Sequence, residues 1–104
     1  MTEVNKEREA QLCIMLTAGI RAQWERLDDQ KNASKGVFPR DIEEIKKFIN
    51  EEKSELDEEL DDGFGEEEYD YVRIREEAAD LKNYLDNLIM VCDKEIAEKK
   101  QKIV

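Results

Sequence analysis

Apolar residues recur along this chain at intervals of three and four, the spacing that lines up side chains on one side of an α-helix. The recurrence Leu12, Met15 or Leu16, Ile20, Trp24 and Leu27 predicts a first helix from about Thr2 to Leu27. It ends in the polar run Asp28 to Gly36, where Asn32, Ser34 and Gly36 favour turns. A second helix is predicted from about Asp41 to Asp61 on the stripe Ile42, Ile45, Ile49, Leu56 and Leu60. Asp41 and Glu44 supply an Asp-x-x-Glu capping pattern at its start, with Pro39 just outside. The run Asp62-Gly63-Phe64-Gly65 breaks it. A third helix then starts around Glu66 to Tyr69, carries Ile74, Leu81, Leu85 and Leu88, and runs without a breaker into a Lys-rich end.

One Pro and four Gly in 104 residues leave little to interrupt these helices. The expected fold is therefore all-α, a single domain over residues 1–104 built as an antiparallel bundle of three main helices. The short connection from Asp61 to Glu68 favours the second and third helices as antiparallel neighbours. Three helices with broad apolar faces do not easily close a core at this size. Association into a homodimer or homotetramer, completing four-helix bundles across subunits, is expected.

Two positions break the apolar stripes. Glu52 falls where the second helix calls for another apolar side chain, and Glu77 does the same in the third. Each has an acidic companion three residues on, Glu55 and Asp80, so each pair projects to one side of its helix. A carboxylate directed into a core must be paired, protonated or bound to a cation, because a bare charge there costs several kcal/mol or more. Antiparallel packing brings Glu52 and Glu55 opposite Glu77 and Asp80, where four oxygen ligands converge. Hard oxygen donors with neither His nor Cys select Mg²⁺, with Mn²⁺ able to substitute, over zinc or copper.

Composition narrows the chemistry further. There is no His, which excludes His-ligated zinc, a His general base and the Glu-x-x-His pattern of di-iron bundles. The net charge of -11 argues against a nucleic acid polymer as partner, since phosphate backbones are bound through Lys and Arg. A small anionic ligand remains compatible with this charge if a divalent cation reverses the local field. Cys13 and Cys92 are solitary, lie on apolar stripes, and are expected as buried reduced thiols. No long uninterrupted apolar run suggests a membrane span, and the charged start Met1 to Ala10 is unlike a secretion signal, so a cytoplasmic location is expected.

The acidic motifs resemble those of the MazG-like, all-α nucleoside triphosphate pyrophosphohydrolases, whose hallmark is Glu-Glu-x-x-Glu followed after a variable spacer by Glu-x-x-Asp. Here the first reads Glu51-Glu52-Lys53-Ser54-Glu55 and the second Glu77-Ala78-Ala79-Asp80, with a spacer of 21 residues, 56 to 76. The flank Glu76-Glu77-Ala78-Ala79-Asp80-Leu81, with Tyr84-Leu85 after it, looks like the family's metal helix. The resemblance covers about residues 40 to 92. It implies hydrolysis of a nucleoside triphosphate to the monophosphate and pyrophosphate, with Glu52, Glu55, Glu77 and Asp80 as ligands of Mg²⁺. A carboxylate in or beside that shell, Glu51 being a weaker candidate than the ligands, would orient or deprotonate the attacking water.

Residues outside the motifs carry two readings each. Trp24 belongs to the core, the commoner place for an aromatic at helical spacing, or stacks on a nucleobase. Tyr84, one turn beyond Asp80, either packs or hydrogen-bonds phosphate or a ligand carboxylate. Lys94, Lys99, Lys100 and Lys102 sit near a helix C-terminus, where cations complement the macrodipole; Lys94 is the one placed as a phosphate contact. Phe38, Phe48 and Phe64 are expected to be structural, and Glu59 to support the site from behind. The competing function is a non-enzymatic acidic helical module that uses its apolar stripes for oligomer assembly. A third is a relative that cleaves another phosphoanhydride, such as a phosphoribosyl nucleotide.

Overall fold

The computed structural model describes residues 2–29, 37–62 and 68–103, with backbone alone at 62 and 101–103. Three helices account for nearly all of them: α1 Glu3–Asp28, α2 Ile42–Asp62 and α3 Tyr71–Ile103. No strand occurs among the described residues. The protein is all-α. No described helix is long and apolar enough to cross a membrane.

Each helix begins where a short side chain accepts a hydrogen bond from an amide that the first turn leaves unpaired. Thr2 Oγ1 accepts from Asn5 N at 3.3 Å, Asp41 Oδ1 from Glu43 N at 2.9 Å, and Asp70 Oδ1 from Arg73 N at 3.1 Å. Asp70 thereby places the start of α3 at Tyr71, later than the Glu66 to Tyr69 start read from sequence. The turn residues Asn32, Ser34 and Gly36, and Phe64 with its flanking glycines, lie outside the described residues.

α3 is the central element, packed against α2 on one side and α1 on another, while α1 and α2 make no contact with each other. α2 runs antiparallel to α3. Glu59 meets Arg73 near one end, Phe48 stacks on Tyr84 further along, and Asn87 Nδ2 donates to the Pro39 carbonyl at 3.0 Å beyond the start of α2. Ile45 is completely buried, with Ala79 and Val91 buried on α3. Ile49, Leu56, Ile74, Leu81 and Leu88 are half-buried, and Ile42, Leu60 and Leu85 lie exposed at the edges of the stripes.

The first helix departs from its expected packing. Ala22 and Gln23 are buried against α3 and Gly19 and Arg26 half-buried, a face spaced at three and four. The apolar stripe Leu12, Leu16, Ile20, Trp24 and Leu27 lies roughly a quarter turn around the helix from it, and all five residues are exposed. Trp24, at 67 % exposure, is therefore not a core residue. The contact face is small and polar instead: Gln23 donates from Nε2 to Asn83 Oδ1 at 3.1 Å and Asp86 Oδ2 at 2.6 Å, and its Oε1 accepts from Lys82 Nζ at 2.7 Å. A Cβ at Gly19 would stand 3.4 Å from the Lys82 side chain, an ordinary contact, so the Lys82 stem lies over this position without demanding glycine there. Cys13 and Cys92 are exposed rather than buried, because both lie on faces that no described element covers.

Candidate metal and substrate site

Glu52 on α2 and Glu77 on α3 face each other across the antiparallel pair and are each only 8 % exposed. One carboxylate oxygen from each, with one from the exposed Glu55, lie within 4.8 Å of one another. Glu55 is in hydrogen-bonding reach of both. Glu52 Oε2 and Glu77 Oε2 are buried with no hydrogen-bond partner, a rare condition for charged oxygens in a folded chain.

Burial, more than any neighbour, raises the Glu52 pKa to about 7, with the charges of Glu55 and Asp80 adding to it. Burial and Glu55 raise Glu77 to about 7 as well, against a smaller opposing pull from Arg73, whose guanidinium stands 3.9 Å away. The two groups act as one unit in which carboxylates crowd each other out of ionisation. Glu59, expected behind the site, accepts a 3.2 Å hydrogen bond from Arg73.

Asp80 stands apart from the three. Arg26 on α1 donates from Nε to Asp80 Oδ1 at 2.9 Å and from Nη2 to Oδ2 at 3.0 Å, a two-pronged pairing that engages both carboxylate oxygens. Arg26 Nη1 also lies 3.3 Å from Asp29 and 3.7 Å from Glu76. The pairing, chiefly its hydrogen bonds, raises the Arg26 pKa further. So three of the four carboxylates marked by the sequence converge directly, and the fourth is held by a cation that periodicity did not single out.

The site opens into a cavity of about 760 Å³ between the helices. Its lining carboxylates are Glu44, Glu51, Glu52, Glu55 and Asp80, and Arg26 and Arg40 are its cations. One helical turn along from Glu52 and Asp80 the lining becomes aromatic, with Phe48 and Tyr84, and Leu27, Val37, Phe38 and Pro39 complete its apolar part. Tyr84 stacks on Phe48 with centroids 5.0 Å apart and planes 8° from parallel, and meets Phe38 edge-on at 5.5 Å. Burial first, then the charges of Glu52 and Asp80, raises the Tyr84 hydroxyl above its ordinary range. It stays protonated at neutral pH.

Not every expected residue gathers here. Glu51 and Tyr84 line the cavity, as do Phe38 and Phe48, which the sequence reading treats as structural only. Trp24 is not among the lining residues. Lys94 is exposed and sits 14 positions past Asp80, about 21 Å along α3; a phosphate beside the carboxylates is out of its reach. Arg26 and Arg40 are the cations that line the cavity instead. Their only sequence signal is positive charge near the ends of an otherwise acidic pair of segments, since Arg26 meets Asp80 across 54 positions.

The chain matches no family model, no curated protein and no solved structure.

Proposed function

We propose that this protein is a Mg²⁺-dependent nucleoside triphosphate pyrophosphohydrolase of the MazG-like kind, cleaving a nucleotide to its monophosphate and pyrophosphate. The observation that carries the reading is the pair of buried, unpartnered oxygens on Glu52 and Glu77, set with Glu55 in a ring of 4.8 Å, with Glu52 and Glu55 also lining a cavity that carries Phe38, Phe48 and Tyr84. The donor set fits a hard divalent cation: all oxygens, all carboxylate, no nitrogen or sulfur.

Glu52, Glu55 and Glu77 would hold the ion, with Asp80 beside them. Bound there, Mg²⁺ would offset the protein's own negative field and the charge gathering on the departing pyrophosphate. The remaining work falls to side chains. Phe38, Phe48 and Tyr84 would give the base an aromatic cluster to pack against, and the protonated Tyr84 hydroxyl can donate to phosphate or carboxylate. Arg26 and Arg40 offer positive charge to the phosphate chain. Glu51, exposed at the rim, or a carboxylate of the ring would hold the attacking water in line with the α-phosphorus and accept its proton.

Homo-oligomerisation belongs to the same proposal. The chain exposes 8744 Å², whereas a compact monomer of 12.3 kDa exposes about 6,100 Å². A second copy covering the stripe on α1 would complete four-helix packing that one chain leaves open. The same stripe favours the second reading, a non-enzymatic helical assembly module, in which the acidic ring is incidental.

Purified protein incubated with a panel of nucleoside triphosphates, with and without Mg²⁺, separates the two. Release of pyrophosphate from at least one, dependent on Mg²⁺ and lost in Glu52→Ala and Asp80→Ala, is the expected result. Failure to cleave any leaves the assembly module standing; retained turnover in either variant removes the assigned roles.

A further inference from the structure

We propose that Arg26 is a placeholder cation: it occupies Asp80 while the carboxylate ring holds no divalent ion, and releases Asp80 to bind the phosphate chain when ion and polyphosphate are present together. This rests on the reading of the ring as a cation and polyphosphate site and says how that site is regulated.

The geometry supplies both halves of the exchange. Arg26 grips Asp80 through two hydrogen bonds of 2.9 and 3.0 Å, the planar fork that a guanidinium presents equally well to carboxylate and to phosphate. Asp80 and Arg26 both line the cavity into which Glu52 also faces, and Glu52 keeps one buried oxygen without a partner. Asp80 is thus beside the donor set of the ring while its own charge is paired with a cation from another helix.

The pairing does not depend on moving the backbone. Gln23, one turn before Arg26, is fixed to Asn83, Asp86 and Lys82 on α3, so α1 stays seated while the Arg26 side chain swings on its three-carbon stem. With the ion-free site already crowded by acids, Arg26 lowers the local negative potential and keeps Asp80 ordered. Once the ring is neutralised from within, the guanidinium is no longer needed there and an incoming phosphate becomes its stronger partner.

Calorimetric titration of the full chain with Mn²⁺ alone, and with tripolyphosphate in saturating Mn²⁺, tests this through binding rather than turnover. Arg26→Lys preserves the charge but loses the fork. It should bind Mn²⁺ alone about threefold more tightly, and tripolyphosphate within about threefold of the unaltered chain. Arg26→Gln should bind Mn²⁺ alone about tenfold more tightly and tripolyphosphate at least about tenfold more weakly. A Mn²⁺ affinity unchanged in Arg26→Lys overturns the proposal, because uniform charge attraction then accounts for everything. So does loss of both affinities in Arg26→Gln with helix content preserved, which marks a purely positioning contact. If the unaltered chain itself takes no Mn²⁺, the reading of the ring fails first and this one falls with it.

Discussion

Glu52 occupies a place on α2 that the helical repeat reserves for an apolar side chain, and at 8 % exposure one of its carboxylate oxygens has no hydrogen-bond partner. Replacing it by Gln keeps the shape and removes the charge. With divalent ions chelated at pH 8, Glu52→Gln should be more stable to urea by roughly 1–3 kcal/mol, while binding Mn²⁺ far more weakly. A variant that is less stable under those conditions would mean Glu52 is already satisfied. Stability gained as function is lost is what a site held under electrostatic strain should give. At this scale the sequence announces Glu52 and Glu77, because a carboxylate out of phase with its stripe is visible from periodicity alone. It does not announce Arg26, whose partner lies 54 positions away on a different helix, nor does it show that Asp80 is the carboxylate this cation would take.

At the scale of the elements, α2 and α3 could be read from their apolar repeats because their contact is made by those repeats. Ile45, completely buried, is its centre. Ile45→Ala should cost about 2–4 kcal/mol in urea or thermal unfolding, the usual toll of a buried large-to-small change; a loss under about 1 kcal/mol would show that α2 and α3 are not joined through this residue. α1 misleads for a physical reason. Its strongest repeat, Leu12, Leu16, Ile20 and Trp24, is exposed, and it meets α3 through Gly19, Ala22, Gln23 and Arg26. A contact made of hydrogen bonds and small residues leaves no hydrophobic period to detect. Capping oxygens mark all three starts, at Thr2, Asp41 and Asp70; α3 begins later than its sequence pattern suggests because the acidic and aromatic run before Asp70 reads equally well as a first helical turn.

For the whole molecule, titration of the acidic ring links stability to pH. A carboxyl whose pKa rises from its ordinary value near 4.5 to about 7 on folding binds its proton more tightly in the folded chain. Its contribution is therefore fully kept below about pH 4.5 and lost as pH rises through 7. With chelator present, the melting temperature should fall by at least about 5 °C between pH 5 and pH 8, and saturating Mn²⁺ should flatten or reverse that slope. An ion-free melting temperature that climbs over the same interval would contradict the burial of these groups. The open shape has its own test. Its radius of gyration of 17.3 Å exceeds the ~13 Å of a compact chain this long, and Ile20→Glu on the exposed stripe should convert a dimer or tetramer in light scattering into a 12.3 kDa monomer.

Residues 3–18 of α1 are exposed without exception. An unsupported stretch of that length sits at the margin of what water allows a lone helix to keep. If a second copy covers this arm as proposed, diluting the protein should unwind it at the concentration where the copies separate, and far-ultraviolet ellipticity would report that separation directly.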